Sequence, residues 1–410
     1  MPSPLVCPDC GATYDPGPGE PWRCDCGHPL EFAERPLPDG PAPDFSELDT
    51  REGLWAFEEF LPVRRVVSLG EGFTPLADAP DWDAQFKLDC VFPSGSFKDR
   101  GATVTLSRAA ELGVERVLDD SSGNAGAAIA QYAARAGIDA DIYVPADVKA
   151  SKLAAIERSG ATAVRVEGSR QDVTDACVRA VEGAGRRPAE EEGAGRRPAE
   201  DEGAASGSAE DEGAASGSAD DEGGRSPRQS GEGWYASHAW NPAFFAGTMT
   251  FALEVAAQRD WSVPDAVVTP LGHGTLFLGA YRGFRALVDA GWTDEMPRLL
   301  GVQANGVAPI AAELHGDAGG ERNDVADGIQ ITRPARRDQI LDAVEATNGD
   351  AIALDADVTD DALDALRRSG FYVEPTSAVA VAGLSAYRER GVLGDDEDVV
   401  VALTGSGLKS

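Results

Sequence analysis

Apolar residues follow two alternating rhythms along this chain. Val114–Leu118, Asp139–Val144, Ala163–Val166, Ala266–Pro270, Arg298–Gln303 and Asp398–Leu403 are short apolar-rich runs that read as strands. Between them Ser122–Ala136, Ser151–Ser159, Gln171–Val181, Pro242–Gln258 and Leu276–Ala290 carry apolar residues at helical spacing. Further helices are expected near 335–348, 359–369 and 376–390, and Ser46–Phe60 reads as partly helical. Strand–helix alternation from about residue 66 predicts parallel sheets with helices on both faces.

Two stretches break the rhythm. Residues 1–40 are rich in Pro and Gly and hold four of the six cysteines. Residues 182–231 reiterate a ten-residue unit built from Glu, Asp, Gly, Ala, Ser, Arg, Pro and Gln. No unit contains a core-forming residue, so the segment is expected to stay disordered. The expected architecture is α/β: two doubly wound αβα domains behind a small ribbon. The ribbon occupies 1–40, the larger domain 41–92 and 234–410, and the smaller domain 93–181, with the low-complexity insertion at 182–233.

Composition narrows the function. Thirty-six basic residues face 70 acidic ones, a net charge of −34, which disfavours nucleic acid and anionic membranes as partners. No run of 18 apolar residues predicts a membrane span, and the N-terminus lacks the pattern of a signal peptide. Only five residues are lysine. An acidic, lysine-poor surface suits a halophile's cytoplasm, where salt screens self-repulsion.

Four turns carry candidate chemistry. In the first, Lys98 lies between Ser94-Gly95-Ser96-Phe97 and Asp99-Arg100-Gly101. A lysine in a turn is ordinarily a surface cation, but this chain almost avoids lysine. An amine among apolar neighbours loses basicity and can condense with an aldehyde. Asp99 and Arg100 either pair locally or fix the turn. The second, Ser121–Gly126, follows a strand and opens a helix. It reads as a capped helix start, or as an anion site where Ser122 and Gly123 receive a substrate carboxylate and Asn124 reaches a ring hydroxyl. The third holds Gly272, His273, Gly274, Thr275 and Leu276, whose backbone amides suit a phosphate. It is neither a Walker A motif nor a dinucleotide fingerprint. His273 is a candidate base there, although its place in the turn suits backbone-led binding. In the fourth, Thr404 and Ser406 stand past the last strand, where open sheets bind ligands; the alternative is a flexible C-terminus. An amine, two anion-binding turns and a hydroxyl at a sheet edge together suit pyridoxal 5′-phosphate.

These motifs carry a family resemblance. From about residue 66 to its end, outside the repeat, the chain resembles the fold-type II (tryptophan synthase β-like) pyridoxal-phosphate enzymes, and within them the threonine synthases. Leu69–Leu76 is similar to LGEGNTPL, Ser94–Gly101 to TGSFKDRG, and Ser121–Gly126 to SSGNAG. Gly301–Ala304, Glu374–Ala378 and Thr404–Lys409 are similar to GVQAE, EPASA and TGHGLK. The resemblance implies that Lys98 is the Schiff-base lysine and proton shuttle. It places Asn124 at the cofactor's O3′, Gly272–Leu276 around its phosphate, and Thr404, or else Ser406, at its ring nitrogen. Ser94, Ser96, Ser122 and Gly123 would face the amino-acid substrate. The implied reaction converts O-phospho-L-homoserine and water to L-threonine and phosphate, and the resemblance implies a homodimer. Two departures stand out: Gly-His-Gly-Thr-Leu replaces a GNAGN-like loop, and no lysine follows Asn241-Pro242 where EGQKT is common. A threonine/serine ammonia-lyase of the same family would use Lys98 without a phosphorylated substrate. A non-catalytic ribbon protein that kept the fold is the reading outside enzymes, and an intact Lys98 argues against it.

Cys7, Cys10, Cys24 and Cys26 form two pairs with the spacing of a structural zinc ribbon. His28 is an alternative to Cys26 as fourth ligand, and free thiols or a redox pair are the readings without metal. Similar ribbons precede the catalytic domain in archaeal relatives of the threonine synthases.

Overall fold

The computed structural model describes residues 2–184, 233–316 and 320–409. The expected insertion lies outside the described residues, apart from Glu182–Ala184, which end the helix Arg170–Ala184, and Gly233.

The larger of two α/β sheets has six strands. Edge to edge they are Asp350–Leu354, Arg298–Ala304, Ala266–Pro270, Val399–Ala402, Ala84–Lys87 and Leu76–Ala79. Neighbours run parallel except at the last pair, where Leu76 lies opposite Lys87 in antiparallel register. Ala266–Pro270 and Val399–Ala402 are buried at every position, as central strands covered on both faces must be. The smaller sheet is wholly parallel, in the order Thr162–Val166, Asp139–Pro145, Arg116–Asp119 and Trp234–Tyr235. The α/β expectation is borne out. Trp234–Tyr235, expected with the larger unit, instead pairs with Val117–Leu118 in the smaller sheet.

Local chemistry explains where helices differ from the periodicity. The single helix expected over Pro242–Gln258 is two, Pro242–Thr248 and Thr250–Ala257. The Thr248 hydroxyl donates to the Phe245 carbonyl and the Thr250 hydroxyl to the Gly247 carbonyl, which competes with the helical ladder at Met249. The helix Lys98–Glu111 was not anticipated, because its opening Lys-Asp-Arg reads as a solvated turn. Asp99 and Arg100 are in fact fully buried. This helix crosses Pro242–Thr248 closely. A Cβ at Gly101 would collide with the Phe244 ring, and one at Gly247 with the Arg100 carbonyl.

The N-terminal module is a three-stranded antiparallel sheet in the order Thr13–Tyr14, Leu5–Val6 and Glu31–Phe32. Two-residue strands cannot hold a fold alone. Leu5, Cys24, Leu30 and Phe32 join the same core cluster as Leu54, Trp55 and Phe60 of the body.

Candidate active site

The turns that follow the strands of both sheets converge on one cleft of about 810 Å³. Lys98, Ser122, Gly123, Asn124, Gly272, His273, Gly274, Thr275, Leu276 and Thr404 all line it. These come from four strand-end turns separated by up to 306 residues, so the fold assembles what the chain disperses.

Lys98 opens its helix, and its Nζ donates to Thr275 Oγ1 at 3.1 Å. The amine lies 4.7 Å from the centroid of the Phe97 ring and 5.7 Å from that of Phe244. Burial pulls its pKa down to about 7 and the Arg170 charge adds to this, while Asp119 and Glu374 oppose it. An amine with that pKa is substantially uncharged near neutrality, as an aldehyde-condensing group must be.

Asp99 and Arg100 do not pair locally; they fix the turn. The Ser94 amide donates to Asp99 Oδ2 at 2.8 Å, and the Ser94 hydroxyl also bonds this carboxylate. Arg100 turns inward to Asp89, with Nη2 to Oδ1 at 2.8 Å, and to Glu254, with Nη2 to Oε2 at 2.9 Å. The Phe97 amide donates to the Thr404 carbonyl at 2.9 Å, which docks the lysine turn on the end of the last strand.

The Gly272 turn ends at Gly274, whose φ of +76° favours glycine, and the helix Thr275–Asp289 starts there. A Cβ at Gly272 would approach Ile329 Cα to 3.1 Å, so a side chain would narrow the cradle. His273 is half-buried in the turn, and its buried Nδ1 lacks a hydrogen-bond partner among the described residues. Burial holds this ring neutral, with a pKa near 3. Across the cleft Asn124 donates from Nδ2 to both oxygens of Glu374, at 2.9 and 3.0 Å. Burial raises the Glu374 pKa above the usual carboxylate range. The buried Thr404 hydroxyl is 3.1 Å from Ser377 Oγ.

Ser94, Ser96 and Ser406 are not among the lining residues. Ser94 serves Asp99, Ser96 bridges to Gly405 beneath the lysine, and Ser406 Oγ accepts from the Leu408 amide at 3.3 Å. Sequence reasoning missed His238, Lys152, Arg170 and Asp327, which line the cleft. His238 faces His273 with ring centroids 5.1 Å apart. Lys152 Nζ lies 3.2 Å from Asp327 Oδ2. The scarcity of lysine could have drawn attention to Lys152; nothing local marks His238 or Arg170.

The donor set fits pyridoxal phosphate. It offers an uncharged amine, a glycine turn with an orphaned imidazole at a helix start, and a hydroxyl at a strand end.

A second cluster gathers Cys7, Cys10, Cys24 and Cys26, whose sulfurs lie within 4.8 Å of one another. The Cys7–Cys26 and Cys10–Cys24 separations are 3.5 and 3.4 Å. A tetrahedron of thiolates about 2.3 Å from a zinc ion has edges of about 3.8 Å, so the set fits that metal. His28 Nδ1 stands 3.5 Å from Cys26 Sγ and groups with Asp9 and Cys26, outside the four-sulfur set.

Comparison with known proteins agrees with this geometry. The family model for pyridoxal-phosphate dependent enzymes matches residues 67–405. A threonine synthase of Methanocaldococcus jannaschii is 30% identical, across 98% of this chain and 92% of that protein. One of Methanosarcina acetivorans is 31% identical, across 89% and 82%. Among solved structures, an L-serine ammonia-lyase of Rhizomucor miehei superposes with a TM-score of 0.61 at 19% identity, covering 81% of this chain and 93% of that one. At that identity the likeness shows the fold alone.

Proposed function

The chain belongs to the family of pyridoxal-phosphate dependent enzymes, and on that premise we propose that it converts O-phospho-L-homoserine and water to L-threonine and phosphate. The observation that carries this reading is the cleft itself, where the uncharged Lys98 amine shares its walls with two cations, Lys152 and Arg170. An enzyme acting on unphosphorylated threonine or serine has no dianion to bind there. Lys152 and Arg170 supply the charge that the missing lysine after Asn241-Pro242 would otherwise provide.

Pyridoxal phosphate, when bound, supplies an aldehyde for the amine and an electron sink for the substrate's carbons. The chain's own groups do the rest. Gly272–Leu276 would hold the cofactor's phosphate, Asn124 its ring oxygen and Thr404 its ring nitrogen. A hydroxyl there leaves that nitrogen without a formal charge partner, which favours elimination and replacement over transamination. Ser122 and Gly123, at the start of the helix Asn124–Ala136, receive the substrate carboxylate. Lys98 would take the proton from Cα and then one from Cβ, which lets the Cγ–O bond break, and would return protons to Cγ and Cα. Phosphate leaves from Cγ toward Lys152 and Arg170, and water adds at Cβ. The four cysteines hold a structural zinc, which metal analysis of the purified chain should find at about one per molecule.

The deciding experiment offers O-phospho-L-homoserine and L-threonine separately, in concentrated potassium chloride, with phosphate and ammonia followed together. Phosphate with threonine from the first supports the proposal. Ammonia from threonine, with no phosphate released from the first substrate, replaces it with an ammonia-lyase.

A further inference from the structure

The N-terminal ribbon does more than rest on the body. Its Trp22 packs edge-to-face on Tyr235 and Trp240, with ring centroids 5.3 and 4.8 Å apart. Those two residues bracket His238, whose ring lines the cleft and meets His273. His238 Nδ1 is buried with no hydrogen-bond partner among the described residues, so packing alone holds the ring in place.

A second clamp acts on the same segment. Arg336 donates from Nη2 to the Leu30 carbonyl of the ribbon at 2.9 Å and to the Trp240 carbonyl at 2.7 Å. Its guanidinium is fully buried and pairs with Glu31 of the ribbon. Arg282 joins Glu31 at 2.6 Å, and both guanidiniums lie over the Phe245 ring, at 4.4 Å for Arg336 and 4.9 Å for Arg282. Against burial, which pushes it up, Arg282 and Arg336 hold the Glu31 carboxyl down at about 2. A buried arginine shared between two backbone carbonyls and a carboxylate is a geometric constraint, because losing one partner strands the others.

We propose that the ribbon is a positioning module for the cleft: Trp22 and Arg336 together hold the segment Tyr235–Trp240, and through it fix the His238 ring against the His273 phosphate turn. Cys24 lies two residues from Trp22 and Cys26 four from Leu30, so closure of the cysteine cluster sets where both clamps sit. The inference rests on the cleft holding pyridoxal phosphate and is independent of which amino acid is turned over.

The test is a double-mutant cycle on the full chain, reading pyridoxal phosphate affinity from the absorbance of the bound cofactor at equilibrium. Trp22→Ala should weaken that affinity about fivefold to tenfold, and Trp22→Phe, which keeps the ring contacts, by less than about twofold. In a His238→Asn background the Trp22→Ala loss should shrink below about twofold, because the residue it positions is gone. Arg336→Lys cannot span both carbonyls and should behave as Trp22→Ala does, which supplies the same reading if Trp22→Ala fails to fold. An equal loss in both backgrounds marks a merely structural ribbon and overturns the proposal, as does unchanged affinity in Trp22→Ala and Arg336→Lys.

Discussion

Two interior lysines show how this molecule separates structure from chemistry. Lys87 and Lys98 are among five lysines in the chain; Lys87 is fully buried and Lys98 is half-buried on the cleft wall. Lys87 donates to the Thr74 carbonyl and to Gln258 Oε1, each at 2.7 Å, and pairs with Glu254 Oε2 at 2.8 Å. Burial pulls its pKa down and Glu254 holds it up. Glu254 also binds Arg100, which binds Asp89, so the charges close on themselves. Lys98 has a single hydroxyl partner, Thr275. A buried cation with enough acceptors is a strut, whereas one with too few gives up its proton and becomes a nucleophile. The two networks meet two positions apart on one helix, since Lys98 faces the cleft while Arg100 faces the strut.

The largest effect should come from the cleft. Lys98→Ala should lower turnover by about a thousandfold or more without lowering the unfolding midpoint, because it removes the nucleophile but no stabilising pair. Steady-state assays and urea titration check both halves. Retained turnover would break the contrast at its centre.

The strut should respond in the opposite sense. Glu254→Ala leaves Arg100 and Lys87 buried with an acceptor missing, and should cost about 3–5 kcal/mol of stability by urea unfolding. A cost below about 1 kcal/mol would mean that water or rearrangement satisfies the strut, which would then not differ in kind from the cleft.

Arg170 sharpens the comparison on the substrate side. It is exposed on the body yet lines the cleft, and its charge reaches Lys98, His238 and His273. Arg170→Ala should raise KM for O-phospho-L-homoserine about tenfold, the worth of a charged hydrogen bond, and leave the unfolding midpoint in place. An unchanged KM would assign the phosphate to Lys152 alone.

The same division decides what could be read from the chain. Asn124, the Gly272 turn and Thr404 were legible because each follows the end of a strand, and such junctions face one crevice, whereas Lys98, eleven residues past the strand Ala84–Lys87, stood out by the scarcity of lysine. Their grouping followed from chemistry, since amine, amide and hydroxyl suit one ligand. Asp99 and Arg100 were ambiguous because their partners lie far away: Glu254 is 154 positions from Arg100. Trp234–Tyr235 is too short to show a period, so its sheet could not be assigned. His238 sits in an irregular segment whose place depends on Trp22 and Arg336, contacts that no local window contains. Ser94 and Ser96 entered only through the family resemblance, and in the structure they lie outside the cleft lining, with Ser94 bonded to the Asp99 carboxylate.

The remaining prediction concerns pH, and its sign tests the lysine contrast directly. In the unfolded chain Lys98 titrates near its ordinary value of 10.5, and in the folded chain near about 7. Between those values the unfolded state holds a proton that the folded state has lost, so stability rises with pH across that window. Below about 7 both states are charged, and the folded state carries the full cost of a cation in the cleft. Lys98→Met removes that cost at every pH. The variant should therefore be the more stable chain at pH 6, with its advantage narrowing steadily toward pH 10. Taking the difference between the two proteins cancels groups that titrate alike in both, which leaves those within reach of the amine: Asp119, Glu374, Arg170, His238 and His273. Burial keeps both histidines neutral and raises the Asp119 and Glu374 carboxyls, whose charged forms favour a charged Lys98 and flatten the trend without reversing it. Urea midpoints at intervals between pH 6 and 10 measure it. An advantage that stayed constant would mean that the Lys98 amine keeps its ordinary basicity in the folded chain.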